Sequence, residues 1–331
     1  MGRRNLVIGG AGYIGSHFVK NAIDQGDRCL VFDNLSTGFE RLIDSRADFQ
    51  NSDILSIDSI REAIRKFRPD QIYHFAAFAL VGESVAHPDK YFHNNVVGVA
   101  NILDVIKEQT NKPDFIFSSS CAVFGPPESL PISEGDAKSP ISPYGRSKLM
   151  AEYLIEDYAR AYGGRAIALR YFNACGADPA GGIGECHDPE THLIPNIIAA
   201  VLKGEKLKIF GDDFKTKDGT CVRDYIHVCD LAEAHRLAAD YIESKKAGSF
   251  DVFHLGTGQG YSNLEIIKAV EEVLGRSISY EMAERRPGDP AELVSATEKM
   301  RSGLGFQPKY SDLKTIVRTA YDWHKGQMES K

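Results

Sequence analysis

The chain has 331 residues, near the upper limit for one hydrophobic core, which predicts one large domain carrying a smaller lobe. Hydrophobic residues make up 43%, charged residues 26% and the net charge is −7, which excludes a basic nucleic-acid footprint but not an anionic small-molecule substrate. No apolar run is long enough to span a bilayer, 1–5 leads directly into a strand without an export signal, and the scattered cysteines form no Cys-x-x-Cys pair, so a cytoplasmic protein with free thiols is expected.

In chain order, short apolar runs alternate with amphipathic stretches. Strands are expected at 5–8, 28–32, 71–75, 114–118 and 166–170, and helices at 14–25, 59–67, 91–109 and 144–162. Beyond Phe172 the texture changes: a Gly-, Pro- and Asp-rich loop over 173–190, a helix at 193–203, a polar loop at 212–220, a helix at 230–244 and a strand at 252–255. Helices at 263–274 and 312–325 complete the chain. This order predicts an α/β protein: a Rossmann-like, doubly wound parallel sheet with a smaller C-terminal α/β substrate lobe. The expected division is 1–172 plus about 223–256 for the dinucleotide domain, and 173–222 plus 257–331 for the lobe.

The first strand runs into Gly9, Gly10, Ala11, Gly12, Tyr13, Ile14 and Gly15, which satisfy G-x-G-x-x-G immediately before a helix. Missing side chains permit a tight turn and close approach of backbone to a pyrophosphate, and the helix N-terminus adds amide donors. Asp33 ends the second strand, where a carboxylate binds ribose hydroxyls and repels a 2′-phosphate; NAD is therefore expected rather than NADP.

Further on, Tyr144 and Lys148 stand at i and i+4, on one face of the expected helix, and Ser118, Ser119 and Ser120 end the preceding strand. A lysine near a phenol would favour phenolate and bring the tyrosine pKa toward working pH, while a serine could relay the proton of a bound hydroxyl. Each feature alone is equally compatible with a packed tyrosine, a solvated lysine and a turn. They become specific only together, downstream of the glycine loop.

At this point the chain resembles the extended short-chain dehydrogenase/reductase family, and within it the UDP-glucose 4-epimerases. The resemblance rests on GGAGYIGSH at 9–17, Asp33-Asn34-Leu35, HFAA at 74–77, VGESV at 81–85, NNV at 94–96, FSSS at 117–120, SPYGRSK at 142–148, RYFN at 170–173, DGTCVRDYIHV at 218–228 and RRPGD at 285–289. It implies a catalytic set of Tyr144, Lys148 and Ser120. For NAD it implies Gly9, Gly12, Tyr13, Ile14, Gly15, Asp33, Asn34, Leu35, Ser36, Thr37, Gly38, Asp53, Ile54, Phe75, Ala76, Ala77, Phe78, Ala79, Asn94, Ser120, Tyr144, Lys148 and Phe172. For the UDP-sugar it implies Val81, Ser120, Tyr144, Asn173, His192, Leu193, Lys208, Phe210, Arg223, Arg286, Asp289 and Leu293, with Arg223 and Arg286 suited to neutralising a pyrophosphate. His192 stands where many members carry asparagine, Ala79 where some carry lysine, Ile8 where a threonine is common and Phe124 in place of a tyrosine.

The activity implied is reversible C4 epimerisation of a UDP-hexose through a 4-keto sugar, with NAD retained between turnovers. Epimerases of N-acetylglucosamine or pentose nucleotides are the alternatives; Leu293, at the position implied to gate the sugar, is smaller than the tyrosine that restricts the pocket to plain hexoses. A 4,6-dehydratase would carry an Asp-Glu pair where Cys121 and Ala122 stand, and a non-catalytic NAD sensor would have no need of both Tyr144 and Lys148. Cys186, His187, Asp188, Glu190 and His192 match no standard zinc spacing, and no metal is expected. The partners expected are a UDP-sugar and a second copy of the chain, a homodimer paired through 91–109 and 144–162, with neither nucleic acid nor membrane.

Overall fold

Seven parallel strands form the main sheet of the computed structural model, which describes residues 2–286 and 289–329. Their order across the sheet is Phe250–Leu255, Ala166–Tyr171, Asp114–Ser120, Gln71–His74, Arg4–Ile8, Arg28–Asp33 and Asp48–Asn51. The register pairs Ile8 with Phe32 and His74, His74 with Phe117, and Ser120 with Tyr171. The carboxyl ends therefore converge at the edge where α/β sheets bind ligands. The Asp48–Asn51 strand is polar and only partly buried, so it carries no apolar run by which to be expected.

Both faces of the sheet are covered, which explains why its strands read as continuous apolar runs. On one face Val7, Val31 and Ile116 pack against Phe18, Val19 and Ala22 of Tyr13–Asp24, Leu231 and Ala238 of Val228–Glu243, and Met300 and Leu304. On the other, Leu6, Ile8 and Phe115 meet Ile60 and Ile64 of Ile57–Phe67, Ile102 and Ile106 of Gly98–Glu108, and Ala151 and Ile155 of Pro143–Tyr162. The expected helix at 91–109 is a composite: Pro88–Phe92 and Gly98–Glu108 joined by a wider π turn over His93–Val97.

A separate core lies under the C-terminal part, where Leu193–Lys203, Asn263–Leu274 and Leu313–Glu329 bury Ile197, Ile198, Ile266, Val270, Ile316 and Val317 around Leu207 and Ile209. The strand Val222–His227 pairs with Gly260–Ser262, Glu292–Leu293 and Asn173–Cys175, not with the main sheet. That strand bridges the two parts: it pairs within the smaller sheet while its Ile226 packs in the main core, and the chain continues there through Val228–Glu243. The helix Glu298–Leu304 also belongs to that core, inside the range assigned to the lobe.

Candidate active site

Gly9 has φ +82°, and a Cβ there would run into the backbone amide of Ala76; one on Gly15 would strike the Gly9 carbonyl. Only glycine permits this packing of loop, helix and neighbouring strand. No side chain caps the helix that starts at Tyr13, so its first-turn amides point outward as an anion site. Asp33 is buried at the end of its strand, and its Oδ2 accepts from the Ala11 amide (3.0 Å) and its Oδ1 from the Leu35 amide (2.8 Å). Burial raises its pKa and these two bonds oppose that. Asp33 thus clamps the glycine loop as well as facing the cleft, and each oxygen keeps a lone pair for a ribose hydroxyl.

That cleft is lined by Gly9, Gly12, Asp33, Asn34, Ser36, Thr37, Gly38, Ile54, Phe75, Ala76, Ala77, Phe78 and Asn94 from the expected set, together with Phe32 and Ser52. Tyr13 does not line it: its hydroxyl donates to the Gly176 carbonyl (2.6 Å). Gly15 serves packing, Leu35 adopts φ +58° in the turn, and Asp53 accepts from Asn34 Nδ2 (2.8 Å) and the Leu55 amide (2.8 Å) outside the lining.

A second cavity adjoins the sheet's carboxyl edge. It brings together Ser120, Tyr144, Ile14, Ala79, Val81, Phe172, Asn173, His192, Arg223, Asp289 and Leu293, all named from the sequence. Cys121, Ala122, Ile141, Ser142 and Pro290 also line it and carry no chemical signal by which to be singled out. Four expected substrate residues do not line it. Leu193 packs in the C-terminal core, Lys208 is exposed, and the exposed Arg286 guanidinium lies 4.2 Å from the Phe210 ring. Of the 285–289 motif, Pro287 and Gly288 lie outside the described residues.

The helix carrying Tyr144 and Lys148 starts where its sequence dictates: Ser142 accepts from the Gly145 amide (3.1 Å), Pro143 occupies the first turn, and Gly163 at φ +74° ends it. Lys148 is buried and donates from Nζ to the Ser118 carbonyl (2.7 Å). Burial lowers its pKa to about 7 despite the opposing charge of Glu152. Lys148 bonds the Ser118 carbonyl and not the Tyr144 hydroxyl. Burial raises Tyr144 to about 12, and the opposing influence is a hydrogen bond with Ser120, not the lysine. One turn on, Glu152 forms a fully buried pair with Arg170 (2.7 and 2.9 Å) and accepts from Ser119 Oγ (2.5 Å), anchoring the serine strand to the helix that carries Tyr144.

Glu185, His187, Glu190 and His192 bring their nitrogen and oxygen donors within 4.8 Å of one another. In this arrangement two imidazoles share one carboxylate: His192 Nδ1 bonds Glu185, and His187 Nδ1 lies 3.1 Å from the same oxygen.

A family model described as the NAD dependent epimerase/dehydratase family matches residues 5–256. The chain belongs to that family. A UDP-glucose 4-epimerase of Lactobacillus helveticus is 46% identical over 322 residues, 97% of each chain. Among solved structures, UDP-glucose 4-epimerase from Brucella ovis in complex with NAD superposes with a TM-score of 0.91 at 48% identity, covering 97% of this chain and 98% of that one. The Bifidobacterium longum enzyme in complex with NAD+ and UDP gives a TM-score of 0.93 at 34% identity, covering 99% and 100%. This family member thus has the parallel-sheet fold of the NAD-bound epimerases.

Proposed function

We propose that the chain is an isomerase, interconverting UDP-glucose and UDP-galactose at C4 with a resident NAD. The observation that carries this reading is the cavity that places Tyr144, Ser120 and Arg223 on one wall system, next to the glycine-loop cleft. NAD, when bound in that cleft, supplies a hydride acceptor and donor for the sugar C4. The chain's own residues do the rest. Tyr144 takes the proton of the sugar 4-hydroxyl and returns it, Ser120 bonds the same oxygen, and Lys148, one turn along the same helix, would hold the nicotinamide ribose. Arg223, whose guanidinium donates to the Val222 carbonyl (2.8 Å) and lies 3.7 Å from Asp289, anchors the diphosphate while the sugar turns.

The named relatives and the NAD and UDP complexes of similar structures support this reading. Its test is incubation of purified protein, without added NAD, with a panel of UDP-sugars. UDP-glucose and UDP-galactose should interconvert, and denatured protein should release NAD. Release of NADP, or conversion of neither sugar, would overturn it.

We further propose the homodimer. Val97, Met150 and Tyr153 are 42%, 48% and 54% exposed on the π turn and the Pro143–Tyr162 helix, and Met150 and Tyr153 share a face at i, i+3. Covering them by a second copy accounts for apolar residues on more than one face. Light scattering should give twice the chain mass, and a monomer at micromolar concentration would refute it. No described helix is long and apolar enough to cross a membrane, and a cytoplasmic location is the companion proposal.

A further inference from the structure

Among the described residues lining the substrate cavity, the basic side chains are Arg223 and His192. His192 is an awkward place for a cation. It is the N-cap of Leu193–Lys203, where the helix dipole is positive and no side chain caps the amides. The structure supplies the compensation. Glu185, 3% exposed, bonds His192 Nδ1, and its own position is fixed from behind: its carbonyl accepts from Trp323 Nε1 (2.7 Å), and Gly184 lies flat against that indole.

We propose that Glu185 is a positioning residue that holds His192 as an imidazolium against the substrate cavity, making the 185–192 loop a proton-dependent clamp on the diphosphate of the nucleotide sugar. This rests on the nucleotide-sugar reading above and adds to it. Asparagine, common at this position in the resembling family, cannot carry the charge. The surroundings agree. The His192 ring is exposed on the cavity side, and the buried Glu185 carboxylate against it raises the pKa. The same two histidines hold Glu185 down at about 2, although its burial alone would raise it.

The other titratable groups facing the pair are His187 and Glu190 of the same loop, Tyr13 and His17 of the first helix, Cys175 of its strand and His324 of the last helix. Tyr13, His17, Cys175 and His324 are held in their neutral forms by burial. His187 is itself raised to about 10 by Glu185 and Glu190 against its burial, so it stays a cation through neutral pH, paired with Glu190 as His192 is with Glu185, and it does not line the cavity.

The sign follows directly. Since Glu185 raises the His192 pKa above its ordinary value, the clamp is strongest at low pH and is lost as pH rises through the raised value. The test is calorimetric titration of the folded, NAD-containing protein with UDP, and with uridine as the diphosphate-free control, between about pH 7 and 9. UDP affinity relative to uridine should fall with rising pH. Glu185→Gln, which keeps an acceptor and removes the charge, should weaken UDP about tenfold or more at neutral pH and move the fall to lower pH. His192→Asn should abolish the pH dependence of the ratio even if Glu185→Gln proves unstable. Identical profiles for wild type and both variants, or equal losses for uridine and UDP, would overturn the clamp. Epimerisation of UDP-glucose by the same wild-type sample tests the underlying reading independently: an active enzyme with a flat profile sinks the clamp alone.

Discussion

At the scale of residues, the proposed chemistry rests most heavily on Tyr144. It lines the cavity half-buried, and desolvation there raises its pKa to about 12, so it holds its proton firmly until a bound ligand changes the field around it. Tyr144→Phe removes that group and almost no volume. We expect kcat to fall about a hundredfold or more, with NAD content and Tm retained. A folded variant with near-normal kcat would remove Tyr144 from its role. Leu293 poses the question of sugar choice: it lines the cavity and is 7% exposed among Cys121, Phe124, Leu149 and Phe172. Leu293→Tyr should reduce turnover of UDP-N-acetylglucosamine relative to UDP-glucose by roughly tenfold or more, since a pocket change of this size discriminates by about 1–3 kcal/mol. Overpacking this cluster costs ~1–3 kcal/mol of stability, so Tm must be followed alongside. Equal loss for both sugars would show that Leu293 is not the gate.

At the scale of elements, the sequence made legible whatever carries a local rule. The helices Leu193–Lys203 and Asn263–Leu274 match their expected ranges, because Gly204 and Gly275 close them at φ +70° and +65° and a Ser262–Glu265 capping box opens the second. The short strands 173–175, 222–227, 260–262 and 292–293 were not expected, because each is held by partners far along the chain and three of them are only two or three residues long. The π turn was equally hidden. In it, Asn95 Oδ1 accepts from the Phe78 amide (3.0 Å) and its Nδ2 donates to the Phe78 carbonyl (3.0 Å) and to Ser147 Oγ (3.1 Å). One buried amide therefore ties Phe78 of the glycine-loop cleft to the helix that carries Tyr144. Asn95→Ala leaves those groups unsatisfied at a cost of ~1–3 kcal/mol each. The expected outcome is a lower Tm together with loss of co-purifying NAD, whereas a stable variant with full NAD would show that the wide turn only packs.

Over the whole molecule, the titration of buried groups sets the pH range in which the fold survives. Burial, the dominant cause in each case, lowers His17 and His235 to about 4 and His74, His227 and His254 to about 3. These histidines sit in different layers: His17 and His235 on one face of the main sheet, His74 at a strand end between Phe115 and Phe117, and His227 beside the last helix at Thr319. In the unfolded chain each would titrate near 6.5. Between about 6.5 and 4 the unfolded state therefore binds several more protons than the native one, and stability must fall steeply as pH drops through that window. His187 acts in the opposite direction. With its folded pKa raised to about 10, its contribution is fully present below about 6.5 and is lost as pH climbs through 10. Stability is thus squeezed from both sides, with the acid side the steeper because more groups share the shift. Urea midpoints measured across pH should peak near neutrality, drop sharply toward about pH 5, and decline more gently above about pH 8. In His187→Ala the alkaline decline should flatten while the acid limb remains. A midpoint unchanged from about pH 7 to 5 would mean that the core histidines take up protons without unfolding, and that the cavities around them admit water.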